Sequence, residues 1–156
     1  MKIKPNELSF FKENEFHGFY GDCNPKLLVL TDLFRYIWDN PVAISSANGA
    51  VGRYDETNSQ HNINYWDEVR ALDLKPKGLT SKYDLERAFK IARDVGFTGI
   101  GLYPEWSDPG IHVDIRNDRT IGDPLYWGAY YKTDNGQRKQ EYVYMDEGLS
   151  MALSKM

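Results

Sequence analysis

Apolar residues recur along this chain with two periods, and the places where the period changes predict the elements. In NPKLLVLTDLFRYIWDN, residues 24–40, Leu27, Leu30, Phe34 and Ile37 follow one another at three- and four-residue steps. That is the repeat of a helix with one face on a core. Asn24 is placed to cap the first amides, Pro25 fits a first turn that needs no donor, and Pro41 stops the helix. A second helix is expected over TSKYDLERAFKIARDVG. Its stripe is Leu85, Ala88, Phe89, Ala92 and Val95, its capping pair Ser81 and Asp84, and its C-terminal stop Gly96.

The other period is two. PVAISSA puts Val42 and Ile44 on one face, and VRALDL sets Leu72 and Leu74 against Ala71 and Asp73. IHVDIR sets Ile111, Val113 and Ile115 against His112, Asp114 and Arg116. TGIGLY reads as a further strand, joined to GIHVDIR by the turn PEWSDPG. LYWGAYYKTDNGQRKQEYVYM predicts a hairpin around Asn135-Gly136, and DEGLSMALSKM a short last helix. Between them, NGAVGRYDETNSQHNINYWDE (48–68) carries neither period and is rich in turn formers. It is expected to be a long loop, and long ordered loops are often functional. This order predicts an α+β fold, with a largely antiparallel sheet and flanking helices, in one domain over residues 1–156.

Composition narrows the function classes. Residues with hydrophobic side chains make up 41% and aromatics 14%, a globular rather than a disordered profile. The net charge of −4, with no block of lysine and arginine, argues against nucleic acid as a partner. Cys23 is the one cysteine, so neither an intrachain disulfide nor a thiolate zinc cluster is available. No run approaches the ~18 apolar residues of a membrane span, and MKIKPNELSFFKENEF lacks the apolar core of a signal peptide. Cytoplasmic synthesis is the expectation.

Candidate chemistry centres on the histidines. There are three, His17, His61 and His112. Strand geometry places His112 and Asp114 on one face, roughly 7 Å apart at the backbone, within reach of one ion. If RALDL and GIHVDIR are sheet neighbours, Asp73 meets His112, and His61 can close over them from the loop. Two imidazoles and a carboxylate suit zinc and leave its fourth position open to water. Zinc makes water a nucleophile near neutral pH, and a nearby carboxylate can take the proton. Taken singly, each of these residues reads first as a surface or satisfied side chain; only their joint placement on the polar faces of two strands brings the metal site level with that reading. Cys23 reads as a small buried side chain and His17 as a surface residue. Tyr126, Trp127, Tyr130, Tyr131, Tyr142 and Tyr144 read first as hairpin packing and second as a binding platform. Glu105 and Trp106 read equally as a plain turn and as the lining of a groove.

NSQHN…RALDL followed by GFTGIGLYPEW…GIHVDIR resembles the zinc D-alanyl-D-alanine carboxypeptidase family, which includes phage endolysin peptidases and has a hedgehog-like fold. The likeness is strongest to a branch common in phage genomes. It covers about residues 20–117, leaving the hairpin and short helix of 118–156 outside it. The resemblance implies zinc held by His61, Asp73 and His112, and a peptidoglycan peptide as substrate. Arg53, Ser59 or Arg116 would bind a substrate carboxylate or steady the site. The general base stays open between Asp114 and Asp108: several members carry an acid three residues before the last histidine, where this chain has Pro109. Twelve positions separate His61 from Asp73 where the family usually has seven, and Val69 stands for the usual glycine. NINYW (62–66) is therefore expected to be an insertion forming one wall of the cleft. The functional expectation is a zinc-dependent peptidase of peptidoglycan cross-peptides, phage or prophage encoded. It would act at the cell wall after release, or from a virion. The alternative is a non-catalytic structural or binding protein of a phage particle, in contact with phage structural proteins, that retains the fold with or without the zinc.

Overall fold

The computed structural model describes residues 8–55 and 58–156. Two short 3-10 turns, Glu13–Phe16 and Tyr20–Asp22, lead into α1 (Pro25–Trp38) and β1 (Val42–Ile44). The long connection that follows contains a one-turn helix, α2 (Ile63–Trp66). Then come β2 (Ala71–Pro76), α3 (Lys82–Val95), β3 (Gly99–Tyr103), β4 (Gly110–Asp114), β5 (Leu125–Asp134), β6 (Gln137–Tyr144) and α4 (Met145–Ser154). No described helix is long and apolar enough to cross a membrane.

Both long helices start on the expected residues and α3 stops on its expected glycine, whereas α1 ends at Trp38, before Asn40-Pro41, on a left-handed Asp39 cap. The Asn24 side chain accepts from the Lys26 amide at 2.8 Å and donates to the Glu68 carboxylate at 3.0 Å. Ser81 and Asp84 form a reciprocal capping box on α3, and Gly96 closes that helix at φ 115°. The core face of α1 differs from the expected stripe. Leu27, Leu28, Thr31, Phe34 and Trp38 are buried, while Ile37 is 41% exposed. Trp38 turns the face: its indole N–H donates to the Lys77 carbonyl at 2.9 Å, and Arg87 lies over its ring at 4.6 Å. Arg87 also donates to the Ile37 and Trp38 carbonyls, the last acceptors of the helix.

The fold is α+β, and the six strands form one sheet in the order β1-β2-β4-β3-β5-β6. Every pairing is antiparallel except β3 with β5, which is parallel. One face packs on the helices: Leu72, Leu74, Ile100, Leu102, Ile111 and Val113 are fully buried there, with α1, α3 and α4 against that face. Helix α4 approaches so closely that a Cβ on Gly128 would overlap the Gly148 carbonyl, and one on Gly148 the Val143 carbonyl. The hairpin of β5 and β6 turns at Asn135 and Gly136, both left-handed at φ 50° and 75°, as an Asn-Gly turn requires. The opposite face of the sheet carries a row of residues in register across five strands: Asp73, His112, Gly101, Trp127 and Tyr144.

Candidate metal centre

In that row Asp73 of β2 lies directly opposite His112 of β4. The third member comes from the long connection. His61 is held there by its own backbone: the Arg53 amide donates to the His61 carbonyl at 3.0 Å, and the His61 amide to the Ser59 hydroxyl at 3.3 Å. The loop is stitched to β2 by Asp73 N–H to Ala50 O (3.0 Å) and Arg70 N–H to Gln60 O (3.0 Å). Phe19 pins its start, since a side chain at Gly52 would strike the Phe19 ring.

Three atoms converge at this point. His112 Nδ1 is 3.1 Å and His61 Nε2 3.4 Å from Asp73 Oδ1, and the two nitrogens are 3.2 Å apart. The outer nitrogens decide what these atoms are. His61 Nδ1 lies 2.7 Å from the Val51 carbonyl and must donate to it, so Nε2 carries the lone pair. His112 Nε2 lies 2.8 Å from Asp114 Oδ2 and donates to it, so in the neutral ring Nδ1 carries the lone pair. Two imidazole lone pairs and a carboxylate oxygen therefore face one another with no hydrogen between them. Only a proton or a cation relieves that contact, and His61, Asp73 and His112 are placed to hold a metal ion. In the metal-free protein a proton serves: burial works against a charged His112, but Asp114 and Asp73 outweigh it and raise its pKa to about 9. Asp73 is held well below the usual carboxylate range, since bonds and charge from the two histidines outweigh its burial.

The sequence-based candidates divide. Asp114 is fully buried and does not share an ion with His112; it lies behind the imidazole. Arg116 grips it through Nε at 2.9 Å, Nη2 at 2.5 Å and the backbone amide at 3.1 Å. These bonds and the one from His112 outweigh burial and keep the carboxyl well below its usual range. Two positions apart on one strand face, the two side chains reach each other before they reach a common ion. Asp108 is exposed in the β3–β4 turn.

A cleft of about 330 Å³ opens over His61 and His112. Arg53, Ser59 and Arg116 line it together with Tyr103, Trp127, Tyr142 and Tyr144, and among the described residues no acid lines it. None of residues 62–66 lines it either, which corrects the expectation of a cleft wall. That segment is α2, and it braces the loop from outside. Trp66 Nε1 donates to the Ser59 carbonyl at 2.9 Å, and the Arg70 guanidinium lies over the Trp66 ring at 4.4 Å. Trp106 also stands apart from this cleft, stacked on Tyr103, and Glu105 is occupied by the Tyr131 amide and Lys155. His17 is exposed and Cys23 buried, its thiol pKa pushed up to about 12 by burial and then by Asp22.

Sequence reasoning overlooked Tyr103, Gln60 and buried Arg70. Arg70 donates to the Ile115 carbonyl at 2.9 Å and to Asn117 at 2.7 Å, tying β2 to the end of β4. For Tyr103 a signal was present: in TGIGLY it shares the polar face with two glycines, which leave room above a strand. Comparison of the chain with protein-family models, with curated proteins and with solved structures found no match.

Proposed function

We propose that the centre holds zinc and that the protein is a peptidase of peptidoglycan cross-peptides with the hedgehog/DD-peptidase type of fold. One observation carries the metal: three acceptor atoms meet with no hydrogen among them. Zinc suits the donor set and the spacing. Bonds of about 2 Å at tetrahedral angles set ligand atoms about 3.3 Å apart, and the three separations are 3.1, 3.2 and 3.4 Å. When bound, zinc supplies Lewis-acid polarisation of a carbonyl and a nucleophile at neutral pH.

The protein's own groups do the rest. Asp114 keeps His112 in one tautomer and one orientation, and Arg116 keeps Asp114 ionised. Arg53 and Arg116 give the cleft a positive wall for a peptide carboxylate. With Asp114 engaged behind His112 and Asp108 exposed in the β3–β4 turn away from the lining residues, neither expected base is placed at the centre, and the proton acceptor is left unassigned. The resemblance to zinc peptidases of phage genomes supplies the substrate class and points to action at the cell wall, after release or from a virion. Among the described residues the walls bear arginines and tyrosines but no acid, which favours a second reading, a non-catalytic phage-particle protein that keeps the zinc and contacts phage structural proteins.

Metal analysis joined to digestion of peptidoglycan separates these readings. The peptidase reading expects one zinc per chain, new peptide termini by mass spectrometry, and loss and recovery of both with chelator and zinc. His61→Ala, Asp73→Ala and His112→Ala should each lose the metal. One zinc per chain with intact cross-peptides would leave the second reading standing.

A further inference from the structure

We propose that Tyr103 is a catalytic residue, whose phenolic O–H donates a hydrogen bond to the carbonyl oxygen of a peptide bound at the metal centre. The inference rests on the peptidase reading and deepens it. Tyr103 stands on the site face of β3, two residues from Gly101, which lies opposite His112. It lines the cleft and is 8% exposed.

Its ring is held from several sides. Tyr103 stacks on Trp106 with centroids 4.2 Å apart and planes 19° from parallel. The bare backbone of Gly101 forms the floor, where an added Cβ would stand 2.7 Å from Tyr103 Cε2 and from Trp127 Nε1. Trp127 Nε1 donates to the Tyr103 hydroxyl at 3.2 Å, and the Trp127 ring packs on His112 with centroids 5.2 Å apart. The hydroxyl is thus one indole away from a metal ligand and cannot swing.

That bond also aims the proton. An oxygen accepting from Trp127 turns its own hydrogen elsewhere, and among the described residues no acceptor takes it. Burial, aided by the charge of Asp73 and opposed by the Trp127 bond, holds the phenol pKa far above its usual value. Tyr103 is therefore a neutral donor across the working pH range. The acceptor must come from what enters the cleft, and a peptide drawn there by Arg53 and Arg116 brings carbonyl oxygens. A fixed donor that is itself largely buried acts most strongly on an oxygen that gains charge during reaction, and such donors account for roughly 10²–10³ in kcat.

The test compares zinc-loaded wild type, Tyr103→Phe and Trp127→Phe. It reads zinc content, kcat and KM on a defined cross-peptide, and calorimetric affinity for a phosphinic pseudodipeptide. Tyr103→Phe is expected to keep its zinc and its KM within about twofold, to lose kcat about 10²-fold, and to weaken phosphinate binding. Trp127→Phe, which leaves Tyr103 unanchored, should lower kcat by a smaller factor. Unchanged kcat and phosphinate affinity in Tyr103→Phe would overturn the proposal, as would loss of its zinc, which marks a structural role. Should Tyr103→Phe fail to fold, wild-type kcat in Trp127→Phe would overturn it. Zinc-loaded wild type that neither cleaves the peptide nor binds the phosphinate would overturn the peptidase reading first and Tyr103 with it.

Discussion

His112 faces two ways, and its chemistry follows from that. Nδ1 looks into the centre and Nε2 to Asp114. In the metal-free protein the His112 pKa is raised to about 9, so a metal must displace a proton below that pH. Apparent zinc affinity is expected to rise about tenfold per pH unit from 7 and to level off above about 9; competition with a chromogenic chelator across that range measures it. The sign for stability is the opposite. The raised pKa stabilises the metal-free fold fully below the unfolded histidine value of about 6.5, and that contribution is lost as pH rises through about 9. Asp114→Asn should weaken zinc binding about 10- to 100-fold by releasing the His112 tautomer, and should move the levelling point to lower pH. An Asp114→Asn protein with unchanged zinc affinity and no turnover would return Asp114 to the role of base. Alternation alone put His112 and Asp114 on one face; that they touch each other rather than a shared ion depends on side-chain rotamers and on Arg116.

The Gly-x-Gly of β3 shows what an element contributes. A Cβ on Gly99 would overlap the Asp114 carboxylate. Gly99→Ala should therefore push Asp114 off His112. A loss of about 1–3 kcal/mol in urea unfolding is expected, together with weaker zinc binding in the same chelator assay. Helix α2 is the other case. Deleting 62–66 removes the Trp66 bond to Ser59, one of the braces on the loop that carries His61. Thermal stability and zinc uptake should fall while the cleavage products of the folded fraction stay the same, as mass spectrometry of the fragments would show. A changed product pattern would restore the segment to the substrate cleft. Its apolar residues were legible, but no local signal told a brace from a wall.

At the scale of the molecule, one sheet separates core from chemistry. The helices cover one face and the metal centre lies on the other. Helix α4 belongs to the covered face: Ala152 is buried, and Leu149, Leu153 and Met156 pack against the core. Removing residues 145–156 should destabilise the fold by about 3 kcal/mol, or roughly 10 °C in Tm, from two leucines partly uncovered. Zinc stoichiometry of the truncated protein, measured below its Tm, should remain one per chain, since no ligand residue lies on α4. Loss of the metal there would mean that the hairpin and its Trp127 need α4 to stay in place.

The sequence by itself determined the local structure. Asn24-Pro25, the Ser81–Asp84 box, Gly96 and Asn135-Gly136 act through bonds and dihedrals within a few residues, and they lie where they were expected. The face carrying Asp73 and His112 was also legible, because strand alternation is local. Tertiary structure decided three things. The parallel pairing of β3 with β5 came from a crossover, and alternation carries no strand direction. The turned face of α1 came from Trp38 meeting Arg87 and Lys77 across a gap of about forty residues in sequence or more. The division of labour in the centre, with Asp114 behind His112 and Tyr103 beside it, depends on which side chains reach one another at 3 Å. A sequence states which groups share a face; packing alone sets distances between atoms, and hydrogen-bond and metal chemistry depend on those distances.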